Sequence, residues 1–197
     1  MDKVKQYAVV DIDGCLADFE GEFCERFGSE NRHLVDLRWR YPNISPDLID
    51  EFIESPETYR DLVPIFGGLY LVSSFRKAGY GIILMTSRPP TAYKVTEHWL
   101  KSYYIFHDEL IFTKDKGTAI DIWNKSHQDG NISIMVDDLL INFSLVPGNV
   151  NQYLWDQPWN SNGTINQQVP RLRYNEENMR LEIFDTVSKL WKVWRIK

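Results

Sequence analysis

The chain lacks most of what would tie it to a membrane, a cross-linked scaffold or a polyanion. Only two cysteines occur in 197 residues, Cys15 and Cys24, too near each other for a long-loop staple. The four histidines, His33, His98, His107 and His127, are scattered, so no Cys or His cluster has zinc spacing. Both cysteines read as free thiols in a reducing compartment. No run of about eighteen uncharged apolar residues exists, which excludes a transmembrane helix by sequence. The opening MDKVKQ passes into an apolar run without the charged-then-apolar order of a signal peptide. The expectation is a soluble, intracellular, cytoplasmic protein without a membrane partner. Positive charge is short as well. Lys and Arg number 22 against 28 Asp and Glu, for a net charge of −6, so no stable nucleic-acid partner is expected. An acidic chain can still bind an anion by recruiting a metal and a few focused cations. Repeats and low-complexity tracts are missing too.

What is present suffices for one packed domain: 43% hydrophobic and 14% aromatic residues. Seven tryptophans leave room for an apolar homodimer interface. Four apolar runs read as buried strands, Tyr7–Val10, Ile82–Met85, Glu109–Phe112 and Ile132–Val136, with a weaker fifth at Gln152–Trp155. Helical spacing appears between them at Leu69–Lys77, Ala92–Lys101 and Thr118–Lys125. This alternation predicts an α/β fold, a Rossmann-like parallel sheet of about five strands with helices on both faces. Ligands of such sheets sit at the carboxyl ends of the strands, which puts Asp11, Thr86 and Asp137 on one rim. Residues 19–65 are about twice as long as one crossover needs. They read as a small, mainly helical insertion over the rim, with a helix starting at Ser45-Pro46. Residues 1–18 and 66–197 then form the core. Gly148–Gln168 reads as a long loop around one short strand. Apolar residues at helical spacing over Met179–Trp194 (Leu181, Phe184, Val187, Leu190, Trp191, Trp194) predict a closing helix.

The chemistry concentrates where strands end. In "VVDIDG", residues two apart on a strand share a side, so Asp11 and Asp13 both face the rim if extended geometry persists through Ile12, and Gly14 permits a sharp departure. Two carboxylates this close need a cation, or one stays protonated; Mg²⁺ suits the first option. An ordinary acidic turn is the plain alternative. An EF-hand fails because the glycine is at the fourth position, Cys15 replaces a ligand, and a strand precedes. Thr86 and Ser87 offer hydroxyls to a phosphate oxygen, or else form a helix cap. Lys114 and Lys116 offer positive charge, or are surface lysines. Asp137-Asp138 ends the fourth run with a second acidic pair.

Asp-Ile-Asp-Gly, a strand ending in Thr-Ser, then Lys, then Asp-Asp resembles, in order, the four motifs of the haloacid dehalogenase-like phosphohydrolases. The stretches DIDGCLADFE, ESPETYRDLVPIFGG, MTSRP, FTKDKG and VDDLL resemble more closely the 5′(3′)-deoxyribonucleotidases and their bacterial and phage relatives, as does Asp-Gln-Pro-Trp-Asn at 156–160. Arg88 departs from the animal enzymes, which carry proline there. The interval from Lys116 to Asp137 is longer, and Arg38-Trp39-Arg40-Tyr41 does not align. The resemblance implies a Mg²⁺-dependent nucleotide phosphatase with a small-molecule substrate. Asp11 would be its nucleophile, Asp13 its acid and base, and Thr86, Ser87 and Lys116 its phosphate holders. Asp11, the Asp13 carbonyl and the Asp137-Asp138 pair would hold metal, with Asp138 direct and Asp137 behind it. Phe19 and Tyr59 would enclose the base, with Arg88 and Lys114 at the substrate. Two other readings stay open: a phosphatase of polynucleotide 3′ ends, which Arg88 favours, and a non-catalytic binding module of the same fold.

Overall fold

The computed structural model describes residues 4–28, 37, 41–160, 169–185 and 188–196. His33, Arg38-Trp39-Arg40, the end of the loop at 161–168 and Val187 lie outside the described residues. The apolar runs form β1 (Lys5–Val10), β2 (Gly81–Thr86), β3 (Glu109–Phe112), β4 (Gly130–Asp137) and β5 (Asn151–Trp155). Helices intervene in chain order: α1 (Phe19–Phe27), α2 (Pro46–Glu54), α3 (Phe66–Lys77), α4 (Tyr93–Ser102) and α5 (Lys116–Ser126). Three further strands follow, β6 (Arg171–Asn175), β7 (Arg180–Asp185) and β8 (Leu190–Val193). One sheet holds all eight in the order β3-β2-β1-β4-β5-β6-β7-β8. Pairing is parallel from β3 through β6 and antiparallel at β6–β7 and β7–β8.

The parallel strands are buried on both faces, as their continuous apolar runs require. Val10, Ile82, Leu84 and Val136 pack with Leu71, Phe75 and Trp99 on one side. Val9, Ile83, Met85 and Met135 pack with Ile120 and Trp123 on the other. β1 lies in register between β2 and β4, with Val10 opposite both Leu84 and Val136. The three strands therefore end side by side and deliver Asp11, Thr86 and Asp137 to one rim.

The sheet has eight strands rather than about five, and the closing helix expected over Met179–Trp194 is instead the β7–β8 hairpin. Ile183, Phe184, Trp191 and Val193 suit a pleated surface as well as a helix face, and spacing does not separate the two over so short a run. Left-handed backbone at Met179 and Lys189 turns the chain before each strand. β6, itself paired with β5, offers an open edge, and pairing β7 with it satisfies backbone groups that a helix would leave bare.

Before the rim, the chain leaves β1, forms α1, and returns through α2. Asp18 caps α1 by accepting from the Gly21 amide at 2.8 Å. Ser45 stands at the N-cap of α2 with Pro46 at the first turn, although its hydroxyl makes no capping bond. Phe23, Tyr41, Ile49 and Phe52 form a separate apolar cluster with Phe27 and Ile44. The two ends of this excursion meet, since Asp18 N donates to Val63 O at 2.8 Å and Ile65 N to Leu16 O at 2.7 Å. No described helix is long and apolar enough to cross a membrane.

Candidate active site

At the carboxyl ends of β1, β2 and β4 opens a cavity of about 250 Å³ lined by Asp11, Asp13, Gly14, Phe19, Tyr59, Ser87, Arg88, Lys116, Asp138 and Trp159, among others. Gly14 shapes its floor. Its φ of +81° is a left-handed conformation, and a Cβ there would stand 2.5 Å from Asp138 Oδ2. Only glycine lets the loop turn and approach the second acidic pair at once.

Lys116 binds the two acidic strand ends together. Asp115 caps α5 by accepting from the Thr118 amide at 3.0 Å, which makes Lys116 the first helical residue. Its buried Nζ lies 2.7 Å from Asp11 Oδ1 and donates to Asp137 Oδ2 at 2.6 Å. Burial opposes the ammonium, but the Asp11 and Asp137 carboxylates prevail and push Lys116 upward. Asp137 Oδ1 accepts from Leu139 N at 2.8 Å and Asn142 Nδ2 at 2.9 Å. Both its oxygens are thus engaged by protein, and it stands behind the cavity rather than on it. Asp11 is pushed up to about 7, first by burial and then by the Asp137 and Asp13 charges, against Lys116.

Asp138 is placed differently. Trp159 Nε1 donates to its Oδ2 at 2.8 Å, while Oδ1 is buried and has no hydrogen-bond partner. Burial, with Asp137 and Asp11 nearby, pushes this carboxyl well up. Trp159 sits on a turn after β5 that clamps both acidic loops. Asn160 Nδ2 donates to Asp138 O at 2.9 Å, and Gln157 Nε2 donates to Gly14 O at 2.6 Å. The sequence flagged this Asp-Gln-Pro-Trp-Asn stretch only by resemblance. Its contacts to residues far back in the chain are invisible to local pattern.

Arg88 faces Asp13. Its Nε donates to Asp13 Oδ2 at 2.8 Å, Nη2 to Oδ1 at 2.7 Å, and Nη1 to Thr96 Oγ1 at 3.0 Å. The guanidinium also lies 4.5 Å over the Tyr59 ring. Such a fork grips a carboxylate in one orientation. Arg88 therefore lines the cavity with each of its nitrogens already donating to protein. Phe19 and Tyr59 lie nearly parallel, with ring centres 5.8 Å apart and planes 17° apart. Burial and the Asp13 charge push the Tyr59 phenol up, and its hydroxyl donates to Ile53 O. Ser87 stands exposed at the mouth, its Oγ donating to Thr113 O.

Besides Asp137, two predicted site residues stay outside the cavity. Thr86 is fully buried beneath it, its hydroxyl accepting from Arg88 N at 3.1 Å. Lys114 is exposed two residues before α5, because the Asp115 cap turns Lys116, not Lys114, inward.

No protein-family model matches the chain, and no curated protein matches its sequence. Solved structures do. A haloacid dehalogenase-like family hydrolase from Streptococcus pneumoniae is 14% identical over 90% of this chain and 97% of its own, with a TM-score of 0.59. The fold is haloacid dehalogenase-like. A second structure of that fold, a dehalogenase, is 11% identical over 90% of this chain and 96% of its own, at 0.57. A chain of the Pnkp1/Rnl/Hen1 RNA repair complex also matches, at 16% identity over 74% of this chain. The chain spans 40% of that protein's length, with a TM-score of 0.45.

The residues at the rim fit a divalent cation. Four carboxylates, of Asp11, Asp13, Asp137 and Asp138, face two cations, Lys116 and Arg88. With all four ionised, the two negative charges in excess match one such ion, and buried charge demands a partner. The partnerless Asp138 Oδ1 supplies the vacant donor.

Proposed function

We propose that this chain is a Mg²⁺-dependent phosphatase that hydrolyses (deoxy)nucleoside monophosphates to nucleoside and phosphate. The observation that carries the reading is the buried Asp138 oxygen without a partner, in the same buried cluster as Asp11 and in a site whose four carboxylates outnumber its two cations. Asp11, the Asp13 carbonyl and Asp138 would hold Mg²⁺, with Asp137 anchoring Lys116 behind them. The ion would shield phosphate charge and return Asp11 to its ionised form.

Asp11 then attacks phosphorus, and the bond from phosphorus to the nucleoside oxygen breaks as Asp13 gives that oxygen a proton. The aspartyl-phosphate is hydrolysed when Asp13 takes a proton from water, which attacks phosphorus and frees Asp11. Lys116, 2.7 Å from Asp11, is placed to meet the phosphoryl oxygens, and Ser87 at the mouth offers them its amide. The Arg88 fork meets both Asp13 oxygens and favours the ionised carboxylate, so it would release one oxygen when Asp13 takes from solvent the proton it then gives. Phe19, with Tyr59 behind it, offers a flat apolar surface to the base, and residues 19–65 act as a cap. We place the protein in the cytoplasm.

The test is phosphate release from ribo- and deoxynucleoside monophosphates with Mg²⁺, beside a 3′-phosphorylated oligonucleotide. Faster turnover of a free monophosphate supports the reading. Release from the oligonucleotide alone moves the assignment to polynucleotide ends. No release from any phosphomonoester leaves a binding module and ends the proposal.

A further inference from the structure

The acidic pair has a sulfur beside it. One ligand atom each from Asp11, Cys15 and Asp138 lie within 4.8 Å of one another, and all three side chains are buried. A hard ion such as Mg²⁺ takes oxygen donors and ignores a thiol, so the nucleotide reading gives Cys15 no task. A thiophilic ion treats the same atoms differently. A tetrahedral ion binds sulfur at about 2.3 Å and carboxylate oxygen at about 2.1 Å, which sets such donors about 3.6 Å apart. Small side-chain shifts would bring this trio to that spacing.

Independently of the cysteine, Asp138 Oδ1 is buried and has no hydrogen-bond partner. Trp159 occupies the other Asp138 oxygen, leaving one donor for an ion. Gly14, with no Cβ, keeps the space between the loops open.

We propose that Asp11, Cys15 and Asp138 form an inhibitory site for a soft divalent cation of the Zn²⁺ or Cd²⁺ class. As the metal–sulfur bond forms, the thiol proton passes to solvent and both carboxylates replace waters on the ion. Three protein donors and one water complete a four-coordinate shell. Asp11 is then held as a ligand and does not attack phosphorus. The binding half of this inference stands without the phosphatase reading, and only the inhibition depends on it.

The internal control is Cys24, the other cysteine, which donates to Glu20 Oε1 at 3.5 Å and lies 3.2 Å from Tyr41 OH. Metal-free full-length protein is titrated with CdCl₂, and the sulfur-to-cadmium charge-transfer absorption is followed. Wild type and Cys24→Ser should each gain the band, saturating at one equivalent, whereas Cys15→Ser and Cys15→Ala should lack it. No band in wild type, or its loss in Cys24→Ser, overturns the site, and neither result requires the Cys15 variants to fold. A band that survives in folded Cys15→Ser also overturns it. In Mg²⁺-supported hydrolysis of para-nitrophenyl phosphate, the Zn²⁺ concentration for half inhibition should rise about tenfold or more in Cys15→Ser, since even groups around a ligand alter affinity by 10–100-fold. Equal sensitivity of the two proteins overturns the inhibition. If wild type hydrolyses no ester, the phosphatase reading fails and the inhibition with it, while the cadmium band still decides the binding.

Discussion

Two buried carboxylates, one in each half of the sheet, are handled in opposite ways. Glu182 on β7 is 2% exposed, and every side it presents is met. Arg173 reaches its Oε2 through Nε at 3.1 Å and Nη2 at 2.9 Å. Arg180 and Asn175 reach its Oε1. Burial opposes its charge, but these donors prevail and hold it below the ordinary carboxylate range. Asp138, at the end of β4, is 4% exposed and has one oxygen bare, and its carboxyl is pushed up. A ringed carboxylate staples strands. One left bare in a charge-rich cavity costs stability until a ligand arrives, and that cost marks a site.

The largest effect belongs to Asp11, the proposed nucleophile. Asp11→Asn should lower nucleotide turnover by about 10⁴-fold or more, the scale of a single essential group. Near wild-type phosphate release from the purified variant would end the covalent mechanism.

The comparison itself is broken or sharpened by a matched pair. Asp138→Asn should weaken Mg²⁺ binding, read by isothermal calorimetry, by about a hundredfold or more, the upper end for changes around a metal. Glu182→Gln should leave Mg²⁺ affinity alone and lower stability by about 2 kcal/mol, the range of a charged hydrogen bond. If both variants lost metal equally, the contrast would collapse.

Next comes the indole that orients Asp138. Trp159→Phe keeps an apolar ring but loses the 2.8 Å donor, and Mg²⁺ affinity should fall by about 10–100-fold. An unchanged titration would make Trp159 simple packing. At the mouth, Phe19→Ala should weaken nucleotide binding by about 1–3 kcal/mol, the worth of stacking on a base. An unchanged specificity constant would return Phe19 to the apolar core.

The smallest effect is on stability against pH. Asp11 is raised from its ordinary 3.8 to about 7, so across that window the folded protein keeps a proton that the unfolded chain has lost. Stability of the chelator-treated protein should therefore fall as pH rises from about 4 to 7. Lys116, also raised, stays protonated throughout and adds no slope. The Tm of wild type should drop more between pH 5 and 8 than that of Asp11→Asn. Equal drops would show that Asp11 ionises freely in the fold.

How much was legible divides along the same line. Five strands and the acids ending two of them were readable, because a buried parallel strand must be a continuous apolar run and its end is a sharp change of chemistry. Lys116 was readable as a charge near the rim, yet Lys114 looked equal to it until the Asp115 cap set the helix start. The β7–β8 hairpin was misread as a helix, because an amphipathic stretch of that length satisfies either period and the open edge of β6, on which β7 pairs, made the choice.

By itself the sequence determined the apolar strand runs, the acids that end two of them and the glycine that follows the first pair, each written in residues adjacent in the chain. Only the tertiary structure decided that Arg88 grips Asp13, that Asp137 is spent on Lys116, and that Trp159 takes one oxygen of Asp138 and leaves the other bare. Those pairings join residues 21 to 75 positions apart. A hydrogen bond depends on distance in space, and the fold sets that distance.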